Sequence, residues 1–143
     1  MKQNLTQITI VLDRSGSMGS VREATISGFN EFVKGQRAAP GEANLTLIQF
    51  DTENAYEMVF DKPILECPNL SLETYRPRGG TPLHDAVGRT ITMLGQKLKN
   101  MPESDRPGKV VIVVMTDGLE NSSHEYTAPQ IAEMIKSQHE VYK

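Results

Sequence analysis

Ile8-Thr9-Ile10-Val11-Leu12-Asp13 runs directly into Arg14-Ser15-Gly16-Ser17-Met18-Gly19. The first five residues are apolar or β-branched with no regular polar alternation, the pattern of a strand covered on both faces and therefore of a parallel sheet. The strand ends at Asp13 and gives way to a Ser/Gly loop. Beyond the loop, Val21, Ala24, Phe29, Phe32 and Val33 recur at helical spacing. They predict a helix over residues 20–35, closed by Gly35 and by Ala38-Ala39-Pro40-Gly41. A buried strand, a polar loop and an amphipathic helix form the opening unit of an α/β fold.

Working outward, Leu45, Leu47 and Phe50 mark a second strand over residues 44–51, and Tyr56, Met58 and Phe60 mark a third. Only Thr52-Glu53-Asn54 separates them, which permits an antiparallel hairpin and forbids a parallel crossover. Residues 62–80 hold several prolines and glycines and read as a loop. Pro82, Leu83, Ala86, Val87, Ile91, Leu94 and Leu98 give a second long helix, with Thr81 as its cap and proline at its first position. Pro102 to Gly108 is a polar turn. Val110-Val111-Ile112-Val113-Val114-Met115 is the most apolar run in the chain and reads as a central parallel strand. Thr127-Ala128-Pro129-Gln130 resembles a helix start, continued by Ile131, Met134 and Ile135. The order predicts one α/β domain over residues 1–143: a mostly parallel sheet with one antiparallel edge strand and helices on both faces.

Composition narrows the function. A length of 143 residues fits one compact domain, and 38% hydrophobic with 23% charged residues is ordinary for a soluble protein. The net charge is −3 and no Lys/Arg stripe is present, so nucleic acid is not an expected partner. The basic residues Lys97 and Lys99 read as a solvated helix end. The single cysteine, Cys67, rules out an intrachain disulfide and reads as a partly buried small residue. There is no signal-peptide pattern and no apolar run of the ~18 residues that a membrane helix needs. A cytoplasmic location is expected.

Three segments supply oxygen ligands: Asp13 to Gly19, Gly79-Gly80-Thr81-Pro82-Leu83, and Thr116-Asp117-Gly118. Each lies where a strand ends or a helix begins, and open α/β sheets bind ligands outside the carboxyl ends of their strands. Asp13 and Asp117 offer carboxylates; Ser15, Ser17 and Thr81 offer hydroxyls. This hard-oxygen set suits Mg²⁺, Mn²⁺ or Ca²⁺ and not a structural zinc. The i, i+2, i+4 spacing of Asp13, Ser15 and Ser17 lets one tight loop aim three side chains at a point, with Gly16 and Gly19 expected to relieve its backbone. Asp85 and Glu120 lie close in sequence to ligand positions, where they would orient a ligand or its water. Arg76 and Arg78 flank the Gly79-Gly80 turn, where they would steer an acidic partner or stand as exposed loop residues.

Asp-x-Ser-x-Ser after a buried strand, a distant Thr and a later Thr-Asp-Gly resemble the metal-ion-dependent adhesion site (MIDAS) of von Willebrand factor A domains. The pattern spans residues 5 to about 138. The resemblance implies a three-layer Rossmann-like fold and a site of Asp13, Ser15, Ser17, Thr81 and Asp117. In it the hydroxyls bind the metal directly and one or both aspartates act through water. It further implies a Mg²⁺-dependent binding module, of a kind found in many intracellular bacterial or phage-type proteins, that takes an acidic residue of a partner protein as the last ligand. Usual members of the family continue past the helix near residue 135 with further strands and a last helix, whereas this chain stops at Val141-Tyr142-Lys143. The strand at residues 109–116 would then keep one unpaired edge, an invitation to homo-oligomerisation. The competing reading is a metal-dependent phosphoesterase. It would need a base, a second metal or a cationic clamp, and His84 is the sole candidate base. No Gly-x-x-x-x-Gly-Lys-Ser/Thr loop is present, so ATP hydrolysis is not expected. No catalytic residue is assigned.

Overall fold

The structure is a computed structural model that describes residues 2–51, 57–80 and 82–116, without the side chains of Lys2, Gln3 and Ser17. The expected third helix, with Thr127 and Gln130 at its start, lies outside the described residues. Strand β1 (Lys2–Asp13) leads through a 3₁₀ turn (Gly16–Val21) into helix α1 (Arg22–Ala38). Strands β2 (Glu42–Phe50) and β3 (Glu57–Pro63), helix α2 (Leu83–Asn100) and strand β4 (Pro107–Met115) follow. The sheet order is β3-β2-β1-β4. Strands β2 and β4 run parallel to β1, and β3 pairs antiparallel with β2. The mostly parallel sheet and its one antiparallel strand are as the spacing of apolar runs predicts.

Side-chain alternation assigns the helices to the sheet. Ile8, Ile10 and Leu12 of β1 and Leu45 and Leu47 of β2 share a core cluster with Phe29 and Val33 of α1. Val11 and Phe50 meet Ala86 of α2, and Val87 and Ile91 of α2 meet Ile112 of β4. Each large side chain buried in this way contributes about 1.5–3 kcal/mol. Towards the start of the strands the floor is polar. Gln7 Nε2 donates to Thr46 Oγ1 at 3.0 Å, and Gln7 Oε1 accepts from Asn44 Nδ2 at 3.0 Å.

Two expectations are corrected. The inner stripe of α1 is Thr25, Phe29 and Val33, while Val21 is 42% exposed and Ala24 is exposed. The preceding 3₁₀ turn has three residues per turn instead of 3.6 and resets the helical phase, which the apolar periodicity alone does not reveal. Helix α2 begins at Leu83, with Pro82 in the N-cap position; Thr81, expected to cap it, lies outside the described residues. Among the described residues strand β4 pairs with β1 only, so β2 and β1 are the internal strands there and Val110 to Val113 are half-buried.

Residues 64–80 are loop-like, as their composition suggests, but α1 fastens them. Asn30 receives the Leu70 amide at Oδ1 (2.7 Å) and donates from Nδ2 to the Leu70 carbonyl (3.0 Å). Arg22 Nε donates to the Tyr75 carbonyl at 3.0 Å, and Arg37 Nε donates to the Ile64 carbonyl at 3.2 Å. Residues 22, 30 and 37 fall about two turns apart and share one side of the helix. Cys67 is buried in this loop, and burial pushes its thiol pKa up, which suits the packing role expected of it. Among the described residues no helix is long and apolar enough to cross a membrane.

Candidate metal centre

The parallel strands end level with one another. Register pairs Asp13 with Phe50 and Leu12 with Met115, so Asp13, Asp51 and Thr116 lie side by side at the carboxyl edge of the sheet. Asp13 has no exposed surface and Ser15 is 1% exposed. The Ser15 amide donates to Asp13 Oδ1 at 2.8 Å, the i to i+2 bond by which an aspartate shapes its own turn. The Thr116 hydroxyl donates to Asp13 Oδ2 at 2.8 Å. The Tyr75 hydroxyl, itself fully buried, donates to the Asp13 carbonyl at 2.6 Å. Met18, with its amide bonded to the Ser15 carbonyl at 3.0 Å, plugs the loop into the α1-side core.

The second segment docks against the first through the backbone. The Gly16 amide donates to the Gly79 carbonyl at 2.8 Å, and the Arg78 amide donates to the Arg14 carbonyl at 2.7 Å. Gly79 has φ of 69°, a conformation that glycine adopts without steric cost. A Cβ on Gly16 would sit 3.3 Å from the Gly79 carbonyl oxygen, so glycine there permits close approach. The expected strain relief by Gly16 and Gly19 is not the reason for either: neither has positive φ, and a Cβ on Gly19 would meet nothing within 4 Å.

Beneath this cradle lies an ionic cluster that sequence reasoning missed. Arg14 Nε donates to Asp51 Oδ2 at 2.8 Å, and Arg78 Nε donates to the same oxygen at 2.7 Å. Arg14 Nη1 also donates to Gln49 Oε1 at 3.3 Å and pairs with Glu57. Arg78, expected to steer a partner or stand exposed, is half-exposed and paired with Asp51, and the position of Arg14 between Asp13 and Ser15 was the other signal, since an alternating backbone turns its side chain away from theirs. Nothing in the sequence marked Asp51 or Tyr75, and Thr116, which stands in the third oxygen-bearing segment, was not expected to donate to Asp13.

Of the five predicted ligands, Asp13 and Ser15 are brought together, and Thr116 and the 78–80 turn are gathered against them. The Ser17 side chain, Thr81, Asp117 and Glu120 lie outside the described residues. Asp85 is buried in the first turn of α2, His84 beside it is half-buried, and Arg76 is exposed. Among the described residues no group of three or more His, Cys, Asp or Glu side chains is gathered as a chelating cluster. A cradle of one buried carboxylate with neighbouring hydroxyls is a different donor set, and its hard oxygens suit a magnesium-like ion. Both Asp13 oxygens already accept a hydrogen bond, which leaves lone pairs for a metal or a metal-bound water. Comparison with models of known protein families and with curated proteins finds no match to this chain.

Proposed function

We propose that this protein is a divalent-cation-dependent binding module of the von Willebrand factor A type, in which a MIDAS-like site grips an acidic residue of a partner protein. In this reading the sheet is the middle of a three-layer Rossmann-like fold. Asp13, Ser15, Ser17, Thr81 and Asp117 would hold the ion, with Asp85 and Glu120 orienting them, and Mg²⁺ is the expected occupant. When bound, the ion supplies an electrophilic position for an anionic oxygen.

One observation carries the reading. Asp13 is a fully buried carboxylate with two hydrogen-bond donors and no ion pair among the described residues. The neighbouring Asp51 is neutralised twice over by Arg14 and Arg78. Burying a carboxylate without a counter-charge costs several kcal/mol, on the order of 3–5 by analogy with broken buried pairs. A cation seated on Asp13 offsets that cost. The chain's own residues do the rest: Ser15 and Thr116 fix the carboxylate plane, Tyr75 fixes the backbone beneath it, and the Gly16–Gly79 contact brings the second loop alongside. No catalytic residue is assigned.

The test is a titration of a glutamate-containing peptide followed through the amide resonances of Ser15, Gly16 and Thr116. Saturable shifts in Mg²⁺ that vanish in EDTA and in Asp13→Ala are expected. Equal binding with and without Mg²⁺ would sink the proposal.

A further inference from the structure

We infer that Arg14, Asp51 and Arg78 form a clamp that sets the spacing of the two ligand-bearing loops before any metal arrives, with Asp51 and Arg78 as positioning residues for the cradle. This rests on the metal-site reading but adds residues outside the ligand motif. Arg14 belongs to the loop of Asp13 and Ser15, and Arg78 to the turn that leads to Thr81. Their guanidinium groups share one oxygen, Asp51 Oδ2, at 2.8 and 2.7 Å. Asp51 has no exposed surface and follows the last residue of β2, the strand paired with β1. A side-chain bridge therefore doubles the backbone bonds from Arg78 to Arg14 and from Gly16 to Gly79.

Stability is a poor reason for this arrangement. Buried ion pairs contribute little net stability against apolar replacements of the same shape, because both charges lose their water. The cluster is not even fully satisfied: Arg14 is 8% exposed and its Nη2 has no hydrogen-bond partner among the described residues. What such a bridge does supply is fixed geometry. Two loops whose relative position is already set lose less freedom when they converge on an ion. Disturbing groups that orient metal ligands typically weakens binding by roughly 10- to 100-fold.

The sign of the effect makes the clamp testable. Arg78 is a cation beside a cation site. Deleting its charge alone would tighten metal binding, since like charges repel. Deleting a clamp weakens it. Arg78→Gln is the variant of choice because that side chain is 49% exposed and its loss leaves the Arg14–Asp51 pair in place. Lys97→Gln, which removes a comparably exposed cation from its partner Asp61, is the control for general destabilisation. Calorimetric titration of Mn²⁺ should show roughly 10-fold weaker binding in Arg78→Gln and no change in Lys97→Gln. Unchanged or tighter binding in Arg78→Gln overturns the clamp, and so does equal weakening in the control.

Hydrogen exchange on metal-free protein separates the clamp from the metal reading. The Gly16 amide, bonded to Gly79, should exchange faster in Arg78→Gln than in wild type, with the amides of α2 unchanged. An unaltered Gly16 rate overturns the clamp even if metal binds. Wild-type protein that takes up no Mn²⁺ overturns the metal site, and with it the clamp's proposed purpose.

Discussion

The Thr116 hydroxyl donates to Asp13 Oδ2 at 2.8 Å and so joins the carboxyl ends of β4 and β1 across 103 positions of sequence. Thr116→Val removes that donor while keeping the shape. It should cost about 1 kcal/mol of stability in urea unfolding. Metal affinity should fall roughly 10-fold or more, because the carboxylate is then oriented by the Ser15 amide alone among the described donors. Unchanged Mn²⁺ affinity would show that the hydroxyl is structural only.

Tyr75 is the second unforeseen partner of Asp13. Its ring is fully buried among Leu12, Phe29 and Leu70 in the α1-side cluster, and its hydroxyl holds the Asp13 carbonyl. Tyr75→Phe leaves the ring and removes the hydroxyl donor to that carbonyl, so a loss of about 1 kcal/mol is expected in chemical denaturation. Tyr75→Ala should lose about 3–5 kcal/mol, the scale of an aromatic truncation in a core.

Gly16 and Gly19 look interchangeable in the sequence and are not so in the fold. Gly16→Ala presses a methyl against the Gly79 carbonyl oxygen, 3.3 Å from the ideal Cβ position, and should cost about 1 kcal/mol while parting the two loops. Gly19→Ala meets nothing and should stay within about 0.5 kcal/mol of wild type. Thermal unfolding of the pair decides this.

How much of this was written in the residues is clear from the same positions. The unbroken apolar run at Ile8 to Leu12 and the short link after β2 gave parallel and antiparallel pairing directly, because period and loop length are local properties. Asp13 and Ser15 were legible because their spacing is local too. The phase of α1 was not, since a 3₁₀ turn and an α-helix share the same residue types. Nor were Tyr75 and Asp51, nor the bond from Thr116 to Asp13, which depend on which distant atoms the fold sets beside one another. Gly16 was singled out for strain, but its reason is a contact with Gly79, again a matter of tertiary approach.

At the opposite end of the sheet, Asp61 gives a pH signature. Burial pushes its carboxyl up, but hydrogen bonds from Asn44 and Thr46 and the Lys97 ammonium outweigh this, and the net pKa lies below the ordinary 3.8. A carboxyl depressed in the folded state adds stability above its unfolded pKa and loses it as pH falls through the folded value. Asp61→Asn should therefore be destabilised by about 1 kcal/mol near neutral pH. The gap to wild type should close as the pH drops below 3.8. Urea unfolding of both proteins across that range measures it, and a gap independent of pH would contradict the assignment.

The central claim is that Asp13 anchors a divalent cation. Isothermal titration of Mg²⁺ and Mn²⁺ into EDTA-stripped protein, beside Asp13→Ala, tests it most directly. The account predicts saturable one-site binding in wild type and none in the variant, with the variant still folded by circular dichroism. Wild-type protein that is folded and binds neither ion, or an Asp13→Ala variant that binds as well as wild type, would contradict it.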